Sequence, residues 1–185
     1  MSPCVLCGEP CETDQRNDTK DRWYDCPTCK KFAVTEEAND SLELEYANKK
    51  WCLSIASAQA KPPGQRLEID TANLDRLIQA YQDISYSTKR STFLQFMKEN
   101  SPHIGATVHL DARRRWAQLK ARSVAEVGGI LEGLQAEGLA ELAGGGPGEP
   151  IGFRLTPKAW IALEPISNAT GIGAFDHPAW PTSIV

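Results

Sequence analysis

The chain has 185 residues, 41% of them hydrophobic and 24% charged, with a formal net charge of −4 at pH 7. No apolar run approaches the ~20 residues that cross a bilayer, so the composition predicts a soluble globular chain of one to three small domains. The charge is uneven, because residues 1–40 carry five basic and nine acidic side chains, and that end should repel phosphate backbones.

Residues 4–8 read CVLCG and residues 26–30 read CPTCK. Eighteen residues separate Cys7 from Cys26, inside the window of roughly 15–20 that separates the two C-x-x-C pairs of structural zinc sites. Two residues between paired cysteines let a tight turn aim both thiolates at one ion, and two such knuckles supply a tetrahedral shell of sulfur. Gly8 follows the first knuckle, where the backbone often needs positive φ. Lys30 and Lys31 follow the second, where they offset the charge of four thiolates. Cys4, Cys7, Cys26 and Cys29 are therefore the expected ligands of one structural Zn2+ per chain, although tetrathiolate shells also suit iron. Such a full shell leaves no open position for water or substrate, which argues against metal catalysis. The residues after Met1 hold neither a basic n-region nor an apolar h-region, so reduced thiols in the cytoplasm are expected rather than disulfides. Cys11 lies near enough to compete as a ligand, with bystander the expected role. Cys52, within WCLSIASA, reads as a small buried hydrophobe.

RWYD leads into the second knuckle as a strand, KFAVT leads out as another, and Thr35 is placed to cap a helix opening EEAND. These complete a zinc ribbon over residues 1–40. Residues 41–85 read as a helical linker region. A helix over 43–60 carries Leu44, Trp51, Leu53 and Ile55 and ends at the breaker KPPGQ. The next helix, TANLDRLIQAYQD, places Leu74, Leu77, Ile78 and Tyr81 at i, i+3, i+4 and i+7, one core-facing stripe.

Over residues 86–164 three helices are expected: TKRSTFLQFMKEN, ARRRWAQLKA, and SVAEVGGILEGLQAEG. The third opens with a capping box of Ser123 and Glu126 and closes near Gly138. LAEL and IGFRLT then bracket a Gly/Pro turn as a hairpin, and Thr156 with Pro157 suits the start of a last helix, KAWIALEPI. Helices, a two-stranded wing and a closing helix describe a winged helix-turn-helix. The expected fold class is thus α+β: an N-terminal four-cysteine zinc ribbon, a helical middle, a C-terminal winged helix-turn-helix, and a tail over 165–185.

This ordering, CVLCG…WYDCPTCKKFAVT followed by GLAEL…GFRLTPKAW, resembles the N-terminal region of certain bacterial proteins, where it precedes a defence-type effector domain of the TIR or nucleoside-deoxyribosyltransferase-like kind. Ala159 stands where the family pattern more usually carries Gly. The resemblance implies that this chain is a sensing or adaptor part, with the effector on a neighbouring chain, and it assigns no catalytic residue here.

A DNA-reading helix presents Arg, Lys, Asn or Gln. The third helix instead offers Glu126, Gly128, Gly129, Glu132, Gly133, Gln135 and Glu137, and the wing carries Glu149. The basic cluster lies one helix earlier, in Arg113, Arg114, Arg115, Lys120 and Arg122, with Trp116 among them. It reads either as a phosphate grip with Trp116 stacked on a base, or as a solvated face with Trp116 in the core. His103, His109 and Asp111 form no constellation with a nucleophile, and no G-x-S-x-G, H-E-x-x-H, P-loop or dinucleotide motif occurs. The tail holds Phe175 and Trp180, which either dock on the chain's own core or anchor a partner. The expected function is a non-catalytic adaptor or sensor in anti-phage defence that recognises a protein partner, a second copy included, or a trigger. The alternative is a DNA-binding transcriptional regulator using Arg113–Arg122.

Overall fold

The computed structural model describes residues 1–15, 20–60, 65–145 and 149–168. These form an α+β protein with seven α-helices and two sheets. The first sheet has the order β1-β2-β3-β4-β5, built from Ser2–Pro3 (β1), Pro10–Gln15 (β2), Arg22–Cys26 (β3), Lys30–Val34 (β4) and Leu67–Ile69 (β5). The first four strands pair antiparallel, whereas β5 runs parallel to β4, with Phe32 opposite Leu67 and Val34 opposite Ile69. Tyr24 and Phe32 face each other across β3 and β4 with stacked rings 4.7 Å apart, which fixes the register around the second cysteine pair.

Helices Glu36–Leu44 (α1), Lys50–Ala58 (α2) and Leu74–Gln82 (α3) cover this sheet. Thr35 caps α1, its hydroxyl accepting from the Ala38 N–H. Leu74, Leu77 and Ile78 are buried as the stripe requires, with Tyr81 half-buried beside them. Leu44, expected on an apolar face, is 84% exposed, because α1 ends there and the chain turns away before α2. The segment 41–85 departs from the expected linker: it contributes β5 and two helices to the same core as the ribbon. Helix α2 is buried at six consecutive residues, Cys52–Ser57, as a helix enclosed on all sides must be. Cys52, Leu53 and Ala56 belong to the ribbon's core, while Ile55 belongs to the next one.

The second unit runs Tyr86–Asn100 (α4), Thr107–Leu110 (β6), Ala112–Arg115 (α5), Val124–Ala136 (α6), Ala140–Gly144 (β7), Ile151–Leu155 (β8) and Pro157–Asn168 (α7). Its sheet has the order β6-β8-β7, all antiparallel, with Phe153 in the central strand opposite both Val108 and Leu142. Phe93 of α4 meets Phe153 at 5.7 Å between ring centres, the middle of a core shared with Leu110, Leu119, Ile130 and Leu134. Ser123 caps α6, and Gly138 ends it at φ +68, where only glycine is unstrained. Thr156 caps α7 by accepting from the Ala159 N–H and donates to the Gly138 carbonyl at 2.8 Å.

The expected helix over ARRRWAQLKA is only one turn long. Trp116, Ala117, Leu119 and Ala121 are all drawn into the core, a spacing no single helical face supplies, and Lys120 breaks the helix at φ +58. Between α4 and α6 lies a buried ion pair: Lys89, 3% exposed, sits 2.7 Å from Glu126, whose other oxygen accepts the Arg122 N–H. Burial alone would raise the Glu126 pKa, but the Lys89 ammonium and that N–H outweigh it and hold it below the ordinary 4.5. A depressed carboxylate stabilises the fold above the unfolded pKa and loses that contribution as pH falls through the folded one. Thermal melts of wild type and Glu126→Gln are therefore expected to differ at pH 7 and by less at about pH 3.5, the gap starting to narrow once pH falls below the unfolded value of about 4.3 and closing only below the folded one. An equal gap at both pH values would rule the pair out as a source of acid sensitivity.

Candidate metal centre

Each knuckle is a turn between strands. In the first, Cys4 donates its N–H to Glu9 and accepts from Gly8, whose φ of +77 lets the chain double back. In the second, the Cys29 N–H points at the Cys26 sulfur, 3.4 Å away. The residue after Cys29 is Lys30, which adopts φ +67 without glycine's freedom and donates its ammonium to the Pro27 carbonyl at 2.7 Å. Both pairs thus end in a left-handed residue, which aims two sulfurs the same way.

The Sγ atoms of Cys4, Cys7, Cys26 and Cys29 all lie within 4.8 Å of one another. Cys4 and Cys29 are 3.9 Å apart, and Cys7 and Cys26 are 3.5 Å apart. Sulfurs ~2.3 Å from one tetrahedral centre stand about 3.8 Å apart, so the cluster can hold a metal ion at its middle. The thiols already perturb one another: the hydrogen bond from Cys29 holds the Cys26 thiol far below the ordinary thiol range, while the same hydrogen bond, followed by those with Cys4 and Cys7, keeps the proton on Cys29 and pushes it far above. A central cation removes that conflict by stabilising all four thiolates at once.

Cys11 is outside the cluster. It is buried, its Sγ faces the Ser2 carbonyl at 3.5 Å, and burial followed by the charge at Cys4 pushes its thiol up to about 11. Cys52 is fully buried in α2, and burial likewise raises it to about 11. Both are packing residues.

The second knuckle also touches the other unit. Thr28, fully buried between Cys26 and Cys29, donates its hydroxyl to the Arg113 carbonyl of α5 at 3.0 Å. Burial first, and then the neighbouring Arg115 guanidinium, lower the Lys30 pKa. Sequence reasoning singled out the arginines and the lysine separately and missed that they meet, since only tertiary contact joins them.

The basic cluster is less uniform than its sequence. Of the two readings of Trp116, stacking surface or core, the structure places it in the core: it is 7% exposed and packs with Ala117 and Leu119, so it is withdrawn from the nucleic-acid-binding candidates. Arg122 is spent within the chain: its guanidinium lies 4.8 Å over the Trp51 ring and donates to the Gln82 carbonyl. Lys120 is half-buried. Arg113, Arg114 and Arg115 are exposed, Arg114 beside Asp111 at 3.4 Å and Arg115 donating to Gln118 at 2.6 Å.

Of the carboxylates at α6, Glu126 is paired with Lys89 and Glu137 with Arg90 at 2.6 Å, while Glu132 is exposed together with Gly129 and Gln135, and Gly128 is half-buried. Tyr86 lies against Gly133, so any side chain there would collide with its hydroxyl. His103 and His109 are exposed, with His109 in β6. Phe175 and Trp180 lie outside the described residues. Among the described residues no helix is long and apolar enough to cross a membrane. Compared with known proteins, the chain matches no family profile, no curated protein and no solved structure.

Proposed function

We propose that this chain is a non-catalytic binding protein, an adaptor or sensor that holds one structural zinc and presents a winged helix to a protein partner, in a bacterial anti-phage system of the kind its sequence resembles. The order helix, strand, helix, helix, hairpin from α4 to β8, with β6 added beside β8, supports the winged-helix reading. Four sulfurs within 4.8 Å of one another, the donor set of a closed tetrathiolate shell, support zinc in a role that leaves no position for substrate.

The observation that carries the partner class is the open face of α6. In a DNA reader this helix would bring cations to the groove. Here it contains no Lys or Arg at all, and its exposed residues are Val124, Ala125, Gly129, Glu132, Gln135 and Ala136, with Gly128 half-buried among them and Gln135 the one side chain of a base-reading type. Nearby cations are occupied: Lys158 donates to the Glu137 carbonyl at 2.7 Å and Arg154 to the Thr107 hydroxyl at 2.9 Å. A smooth, slightly acidic helix face suits close approach by another protein's backbone or side chains and repels phosphate.

Glycine within a helix costs about 1 kcal/mol relative to alanine, and nothing lies within 4 Å of a Cβ added at Gly128 or Gly129. Gly129→Ala is therefore expected to stabilise the protein by about 0.5–1 kcal/mol in urea titration. A photoreactive amino acid fits the same two positions and supplies the functional test. In extract from the source cells, positions 128 and 129 should yield a protease-sensitive, nuclease-resistant adduct that position 40 does not. A nuclease-sensitive adduct would overturn the protein-binding reading in favour of a DNA regulator.

A further inference from the structure

The hydrogen bond from Thr28 to the Arg113 carbonyl joins two cationic stretches that are far apart in the chain. Arg113, Arg114 and Arg115 follow one another on α5, and Lys30 lies two residues beyond Thr28 in the knuckle that α5 rests on; Lys30 and Arg115 each spend one donor within the chain, on the Pro27 carbonyl and on Gln118, and keep their other N–H groups for a ligand. The Arg113 guanidinium has no hydrogen-bond or ion-pair partner among the described residues. Arg114, whose side chain is 69% exposed, has only the 3.4 Å contact with Asp111. Asp111 is itself committed, since its other oxygen accepts the Arg113 N–H to cap α5.

We propose that Lys30, Arg113, Arg114 and Arg115 form one cationic surface, built across the seam between knuckle and α5, that grips the phosphodiester backbone of a nucleic-acid duplex without reading its bases. Guanidinium groups match phosphate with paired N–H donors, and three successive ones fan out around the single turn of α5, so that they reach different phosphates rather than one. Single strands are bound largely by stacking bases on aromatic rings, and the tryptophan of this cluster is withdrawn into the core, so the surface offers phosphate contacts only. Base reading would fall to α6, which has no cation to do it. The surface is built on α5 and the second knuckle rather than on α6, and the inference goes beyond the protein-binding reading: a sensor built this way would hold a partner on one helix and a polyanionic trigger on another.

The test uses the full zinc-loaded chain and a labelled 20-base-pair duplex of mixed sequence, followed by anisotropy from about 25 to 150 mM salt. Neutralising about three to four phosphates predicts a log–log salt slope near −3. Arg113→Glu with Arg114→Glu should weaken binding at least tenfold at low salt, and Lys30→Glu, in the other unit, at least threefold. Lys20→Glu, at an exposed ribbon position paired with Glu36, should leave it unchanged. Thr28→Val keeps every charge but removes the seam contact, and should cost about threefold. Thermal melts of each variant separate lost binding from lost folding. No binding at 25 mM salt would overturn the proposal, as would full binding by Lys30→Glu. A polyglutamate 20-mer binding as tightly as the duplex would also overturn it and assign the surface to acidic protein instead.

Discussion

Chelation of the metal is expected to unfold the N-terminal sheet. Apparent binding free energies for structural zinc sites are about 10–16 kcal/mol near neutral pH, comparable to or larger than the total stability of a small domain. The knuckles themselves have little else to hold them: β2 is exposed at Glu12–Gln15, and although Phe32 and Val34 anchor β4 in the core under α1–α3, the two turns add to that core mainly the cysteines and Leu6. Withdrawing the ion leaves four sulfurs in conflict over protons, and that conflict is relieved by letting the knuckles open. Cys26→Ser should act in the same way, because three ligands cannot close the shell. Because the thiols must be deprotonated to bind, the same unfolding is expected on acidification in the presence of zinc. Hydrogen exchange is the decisive readout: amides of β3 and β4 should lose protection on chelation, while those around Phe93 and Phe153 keep most of theirs. Metal analysis should give one zinc per colourless chain. A coloured protein, or a ribbon that survives chelation, would sink the structural-zinc reading.

Phe153→Ala should be the most damaging single change in the second unit. Phe153 is fully buried in β8, the strand that has a neighbour on each side, and it packs on Phe93 from α4. Truncating a buried phenylalanine costs about 3–5 kcal/mol, through lost transfer energy and the cavity left behind. The site is poorly placed to collapse, since β6 and β7 both hold β8 in register. Urea denaturation should show the midpoint fall with little change in slope. Phe153→Leu should lose clearly less. A loss under about 1 kcal/mol for alanine would mean that helices α4 and α6 close the gap.

The four-cysteine cluster was legible because spacing alone restricts it: two residues within each pair and a hairpin's length between pairs leave few other geometries. Capping was legible for the same kind of reason, since Thr35, Ser123 and Thr156 act on residues three positions away. Strand β5 was not, because three residues, Leu67–Ile69, are too few to display an alternating pattern and owe their strand state to β4 alongside. The segment after Arg115 misled because Ala, Gln, Leu and Lys favour helix locally, whereas burial of Trp116, Leu119 and Ala121 imposed a series of turns. The meeting of Thr28 with Arg113 left no trace in either local sequence, as is usual for a contact that only the packing of two cores creates.

Helix α2 has a consequence for how the chain can be divided. It serves as a wall common to two rooms, lending Leu53 to one and Ile55 to the other, and Cys7, Trp51 and Tyr81 rest against both. A fragment starting at residue 86 would carry away a core with one side stripped, and the remaining piece would expose the matching wound. Both fragments should therefore stick to themselves or to each other, and mixing them should restore a soluble pair. In any shuffling of modules between genes, residues 1–163 would have to travel together.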